Sequence, residues 1–92
     1  MKDEKLFLKK LAQNDKAAVK DIFQANVPLL LKYGHRFTND AGLVDECLVV
    51  VFIDLWKNRA TVAQNKSLKV YLLEMLRQKI ELKLGQSRLK RA

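Results

Sequence analysis

The sequence predicts an all-α fold, and three observations carry that expectation. Apolar residues recur at helical spacing along nearly the whole chain, and no alternating runs bounded by turns break the pattern. Glycine and proline, the strongest interrupters of regular structure, number only three and one. At 92 residues and 49% hydrophobic composition, the chain is long enough for one helical core and too short for two. A single domain over residues 1–92 is therefore expected.

The elements follow in order. A first helix is expected over residues 3–14, with Asp3 as N-cap and Leu8, Leu11 and Ala12 as its buried stripe. A second is expected over residues 15–37, with Val19, Ile22, Phe23, Val27, Leu30, Tyr33 or Gly34, and Phe37 facing inward. Pro28 lies inside it and removes a backbone donor, so a bend near residues 24–28 is expected. Gly34 either admits a close neighbour or begins an early end. Thr38, Asn39 and Asp40 read as a connection and a new N-cap. A third helix is expected over residues 40–58. Residues 59–66, RATVAQNK, have mixed polarity and no stripe and read as a loop. A fourth helix is expected over residues 67–85, with the tail after Gly85 fraying.

Charge narrows the partners. Eighteen Lys and Arg against ten Asp and Glu leave a net charge of +8, which favours a polyanion. The charge is unevenly placed: residues 40–58 hold four acids and one lysine, while residues 77–92 hold six bases and one acid. A basic amphipathic end could also suit a membrane surface, but its apolar positions are spaced as core positions, so no membrane partner is expected. Cys47 is the single cysteine, so no internal disulfide is available. With no signal peptide at the N-terminus and no apolar run of bilayer length, a soluble, cytoplasmic protein is expected.

An enzyme is not expected. One His and one Cys make no metal cluster, and no glycine-rich phosphate loop is present. Ser67 and Ser87 lie outside any nucleophile motif. Asp45 and Glu46 are adjacent, so on a helix they diverge by about 100° and do not converge as an acid–base pair. His35 suits a surface or helix-terminal role, and Cys47 suits packing. No metal and no cofactor are implied.

The segment DECLVVVFIDLW, residues 45–56, is the most informative. On a helical wheel, Val44, Leu48, Val51 and Leu55 fall together with Phe52 beside them, which makes a core face. Val49, Ile53 and Trp56 make a second apolar stripe elsewhere. Either the helix is central and covered all round, or the second stripe docks another protein.

Four segments carry a family resemblance: LAQND at 11–15, DIFQANVPLLLKYGHRFT at 21–38, DECLVVVFIDLW at 45–56 and SLKVYLLEMLRQK at 67–79. In order and spacing they resemble region two of bacterial RNA polymerase sigma factors, in particular the extracytoplasmic-function (ECF) group. The Pro28 context and the VFIDLW ending are the most specific parts.

The resemblance implies a small right-angled bundle of about four helices and a role in transcription initiation. It implies docking of the third helix on the coiled coil of the polymerase's largest subunit, through Glu46, Val49, Val50, Ile53 and Trp56. It also implies binding and melting of the promoter −10 element, with a flipped base captured by the loop and fourth helix. Arg59, Asn65, Lys66, Lys69, Arg77, Lys83 and Arg88 are the DNA-side positions: the bases neutralise phosphates, and Asn65 could bond a captured base. Tyr71 could stack on a base, although its spacing to Met75 suits core packing. An anti-sigma factor and a homodimer are further partners the pattern could serve.

Four positions depart from the family pattern. Val49 and Val50 replace a Gln-Glu pair, Gln78 replaces Asn, and Leu82 replaces Asp. A region-four helix-turn-helix is not expected within the chain. A degenerate sigma-like interaction module without DNA binding is the alternative reading.

Overall fold

Pro28 decides how the first half of the molecule is laid out. In a computed structural model, which describes residues 4–64 and 67–91 and side chains as far as residue 85, the expected second helix is two helices. These are α2 (Lys16–Ala25) and α3 (Val27–Gly34), with Pro28 in the first turn of α3. Proline is tolerated there because first-turn N–H groups have no helical partner to lose. Asn26 occupies the break, and its side-chain amide donates to the Ile22 carbonyl at 2.8 Å.

The remaining helices are α1 (Glu4–Ala12), α4 (Ala41–Lys57), α5 (Arg59–Ala63) and α6 (Leu68–Arg91). No strand occurs among the described residues. The all-α bundle of the expected type is therefore present. The count rises from about four to six because α2 and α3 part at Asn26 and because residues 59–63 are helical. The loop expected there was read from its lack of a stripe. A five-residue helix needs only one inward side chain, and Val62 supplies it, buried on the side that faces α1.

Local chemistry closes each joint. Asn14 ends α1 in the left-handed conformation, φ 58°, and the Asp15 N–H reaches the Lys10 carbonyl at 3.0 Å. Asp15 then caps α2 by accepting from the Ala18 N–H at 3.1 Å. Asp40 does the same for α4, accepting from Leu43 at 3.1 Å. Glu4 of α1 accepts from the Leu68 N–H, so a carboxylate sits at the N-terminus of α6, where the helix dipole favours it. The Asp3 cap expected for α1 lies outside the described residues.

The core forms where α4 packs on α6, with α3 against both. On α6, Leu68, Leu72, Leu76 and Ile80 recur every fourth residue and are fully buried. On α4, Val44, Leu48, Val51 and Leu55 are buried as the wheel requires, and Cys47 joins them. Gly34 ends α3 where it passes close to α4 and α6. A Cβ there would stand 2.9 Å from Val44 Cγ1 and 3.4 Å from Ile80 Cδ1.

In α1 the buried pair is Phe7 and Leu11, with Leu8 half-buried and Ala12 exposed. Ala12 is one residue, or about 100°, past Leu11, which turns it outward. Phe37 is not part of a helix. It follows the end of α3 and rests edge-on against Tyr33, ring centroids 5.2 Å apart. The backbone of α6 runs through Gly85 to Arg91 rather than stopping, since one glycine costs a helix only about 1 kcal/mol.

Candidate functional site

The two-striped helix α4 is covered on one side only. Its core stripe faces α6 and α3, while Val49 is 60% exposed and Ile53 is 45% exposed. Both line a cavity of about 240 Å³ between α4 and α2, walled by Phe23, Val27, Leu48 and Phe52, with Lys20 and Gln24 at its edge. Phe23 and Phe52 meet edge to face at 5.1 Å and form the floor.

The five expected docking residues lie within about 120° of one another around α4, with different neighbours at the two edges of that arc. Glu46 bonds Lys83 of α6 at 3.3 Å, and Asp54, two turns along the same row, bonds Lys79 at 2.7 Å. Val50 lies between them at i,i+4 spacing and is half-buried. Glu46 and Val50 therefore border α6, and Val49 and Ile53 border α2, on one outward arc of α4.

Trp56 closes the α2 side. Two cations lie over its ring, Lys16 Nζ 5.7 Å and Arg59 Cζ 4.5 Å from the centroid. Arg59 is anchored further: its Nε donates to Asn14 Oδ1 at 2.5 Å and its Nη1 to the Trp56 carbonyl at 2.9 Å. One guanidinium thus ties the α1–α2 turn to the junction of α4 and α5.

The residues expected to face DNA are dispersed. Arg59 is committed to Trp56 and Asn14, and Lys83 to Glu46. Arg77 shares its charge with Glu81 at 3.5 Å. Asn65, Lys66 and the Arg88 side chain lie outside the described residues. Lys69 is exposed, and no ion pair engages it among the described residues. It lines a second cavity, of about 560 Å³, between α3 and α6, together with Leu29, Lys32, Tyr33, Arg36 and Leu73.

Lys32 and Arg36 were missed because each looked like an ordinary solvated position. The signal that could have found them is their i,i+4 spacing interleaved with Leu29 and Tyr33 at the same period.

Two titrating groups are perturbed, both by enclosure. Burial pushes the Cys47 thiol up, with Lys83 opposing and Glu46 adding a smaller rise. It therefore stays a protonated packing group at neutral pH. Burial, helped by Asp54, pushes the Tyr71 hydroxyl up as well. Tyr71 is half-buried and packs against the core. Among the described residues, no group of three or more metal-ligating side chains gathers, and no helix is long and apolar enough to cross a membrane.

The bundle thus presents an exposed apolar pair on one side of α4 and, between α3 and α6, a groove whose three cations make no ion pair among the described residues. The family follows from comparison with known proteins. The family model for sigma-70 region 2 matches residues 22–87, well over half of the chain, and the chain belongs to that family. Membership implies involvement in RNA polymerase binding and promoter −10 recognition, and a transcription-factor rather than an enzymatic kind of protein. No curated protein and no solved structure gives a significant match.

Proposed function

We propose that the chain is a transcription initiation module of the ECF type that acts in the cytoplasm. It binds core RNA polymerase and the promoter −10 element and aids strand melting. The observation that carries this reading is the exposed apolar pair Val49 and Ile53 above the α2–α4 cavity, on the helix that the family docks on polymerase. The coiled coil of the largest subunit presents helices, and a helix laid along α4 would bury this pair and the cavity's apolar walls. The cationic side of the bundle supports the second half of the reading, because strand separation requires phosphates to be neutralised while bases are held apart. The short α1 and its Asn14-Asp15 turn favour the ECF group within the family.

The test is direct. Purified protein should be retained by immobilised core polymerase and should bind a single-stranded −10 oligonucleotide in the presence of that core. Lack of retention at low salt would remove the polymerase half of the reading.

A second reading has its own observation. Val49 and Val50 stand where the resembling family keeps a polar pair, so the face is more apolar than polymerase docking alone requires. That favours an anti-sigma-type partner or a second copy of the chain. A dimer by light scattering that Ile53→Asp dissociates, together with no strand binding, would establish this reading in place of the first.

A further inference from the structure

The cavity between α2 and α4 has two unlike ends. Lys16 of α2 lies over Trp56 of α4, and Phe23 of α2 meets Phe52 of α4, so the two helices pass each other in opposite senses. Lys20, one turn after Lys16, therefore stands toward the Trp56 end, and Val27 toward the Val49 end. Of the eight residues that line the cavity six are apolar, and the other two, Lys20 and Gln24, are one turn apart on the same rim. Lys20 is exposed, and no ion pair engages it among the described residues. No carboxylate lines the cavity. The walls are thus apolar, with one cation and one amide along a single edge.

We propose that this cavity binds a small amphipathic carboxylate, an alkanoate of medium length, with Lys20 holding its head. The chain lies on the Phe23–Phe52 floor and runs toward Val27 and Val49, and Gln24 donates a second hydrogen bond to the carboxylate. Charge selects the head. A single unpaired cation matches a monoanion, whereas a phosphate monoester would bring about two charges to it. The walls select the tail. An extended peptide would bring a row of backbone N–H and C=O groups, and six of the eight lining residues have no polar side-chain atom to answer them. An alkyl chain brings none. Size agrees: at about 30 Å³ for a group the size of a water molecule, about 240 Å³ holds about eight such groups, close to octanoate. Val49 and Ile53 also carry the polymerase contact of the proposed function, so on that reading ligand and polymerase exclude one another.

The experiment titrates octanoate into the full chain carrying carbon-13 in its valine and isoleucine methyl groups. The Val49 and Ile53 signals should shift and saturate, while Val70, comparably exposed on α6, should not move. Lys20→Gln should weaken octanoate about fivefold or more and leave octan-1-ol unchanged. Lys9→Gln, on the exposed face of α1, removes the same charge and should change neither. Hexanoate should bind about tenfold more weakly than octanoate, because each buried methylene contributes up to about fourfold.

Equal shifts at Val70, or equal losses in Lys20→Gln and Lys9→Gln, would mean that octanoate coats a cationic protein as a detergent does, and would overturn the proposal. Octan-1-ol binding wild type as tightly as octanoate would remove Lys20 from the site and with it the assigned class of ligand. Hexanoate matching octanoate would show that the chain is not buried. Octanoate should also release wild type from immobilised core polymerase at a concentration that leaves Lys20→Gln bound. Retention unchanged by saturating octanoate would refute the mutual exclusion. If wild type is not retained even without octanoate, the polymerase half of the proposed function fails, and the titrations alone decide what the cavity binds.

Discussion

Replacing Val49 and Ile53 by aspartate separates docking from folding. Both side chains project from α4 into solvent, 60% and 45% exposed, so the isolated protein should lose little by the exchange. Exposed substitutions of this kind change stability by about 0.5 kcal/mol or less. Binding should respond differently. Full burial of a branched aliphatic side chain contributes about 1.5–3 kcal/mol. The share still exposed on Val49 and Ile53 therefore makes about 2–3 kcal/mol available to a partner that covers both. Removing it corresponds to a loss of about 30- to 150-fold in affinity, before the cost of desolvating two carboxylates is added. The assay is a titration of labelled protein with core polymerase, paired with a urea melt of each variant. An affinity within threefold of wild type would refute the assignment of this face. A urea midpoint that collapses in both variants would refute its premise, since it would place the two residues in the core.

Three further outcomes follow from the packing. Gly34→Ala should destabilise the fold by about 1–3 kcal/mol, because the new methyl meets Val44 Cγ1 at 2.9 Å and a β-branched neighbour yields poorly. A Val44→Ala second change should recover part of that loss in chemical denaturation, and full additivity would show that the two positions do not touch. Arg59→Ala should red-shift the emission of the single tryptophan, Trp56, by removing the guanidinium 4.5 Å from its ring. Arg59→Lys should restore little of it, because a lysine cannot reproduce the bonds to Asn14 and the Trp56 carbonyl. An unchanged spectrum in Arg59→Ala would show that the ring is covered by something else. Stability should fall as pH rises beyond about 9. Cys47 and Tyr71 have folded values raised above 9.0 and 10.0, so their protonated forms are favoured in the fold, and the unfolded chain releases these protons first. A urea midpoint that stays constant to pH 10.5 would contradict this, and Cys47→Val should remove part of the fall.

Periodicity determined much of this protein without the fold. The core stripe of α4 was legible from Val44, Leu48, Val51 and Leu55 alone, because a helix repeats its faces at a fixed angle whatever it packs on. The interruption at Pro28, the cap at Asp40 and the special position of Gly34 were legible for a similar reason. Each depends on the geometry of a few neighbouring bonds. The apolar stripe of Val49, Ile53 and Trp56 was also visible, though not whether it was covered.

Tertiary structure decided what the periodicity left open. A wheel gives the angle of a side chain but not its neighbour. It could not show that Glu46 is drawn to Lys83, that Arg59 lies on Trp56, or that Ile53 faces an open cavity beside α2. Val62 was invisible because one apolar residue has no period, and only the surface of α1 makes it core. The cationic groove shows this most clearly. Lys32 and Arg36 are separated from Lys69 by more than thirty positions and meet across one cavity only because α3 packs on α6. Charge acts through space and periodicity acts along the chain. The sequence therefore determined the helices and their apolar faces, and the packing of those helices decided which charges are neutralised inside the protein and which are left for a partner.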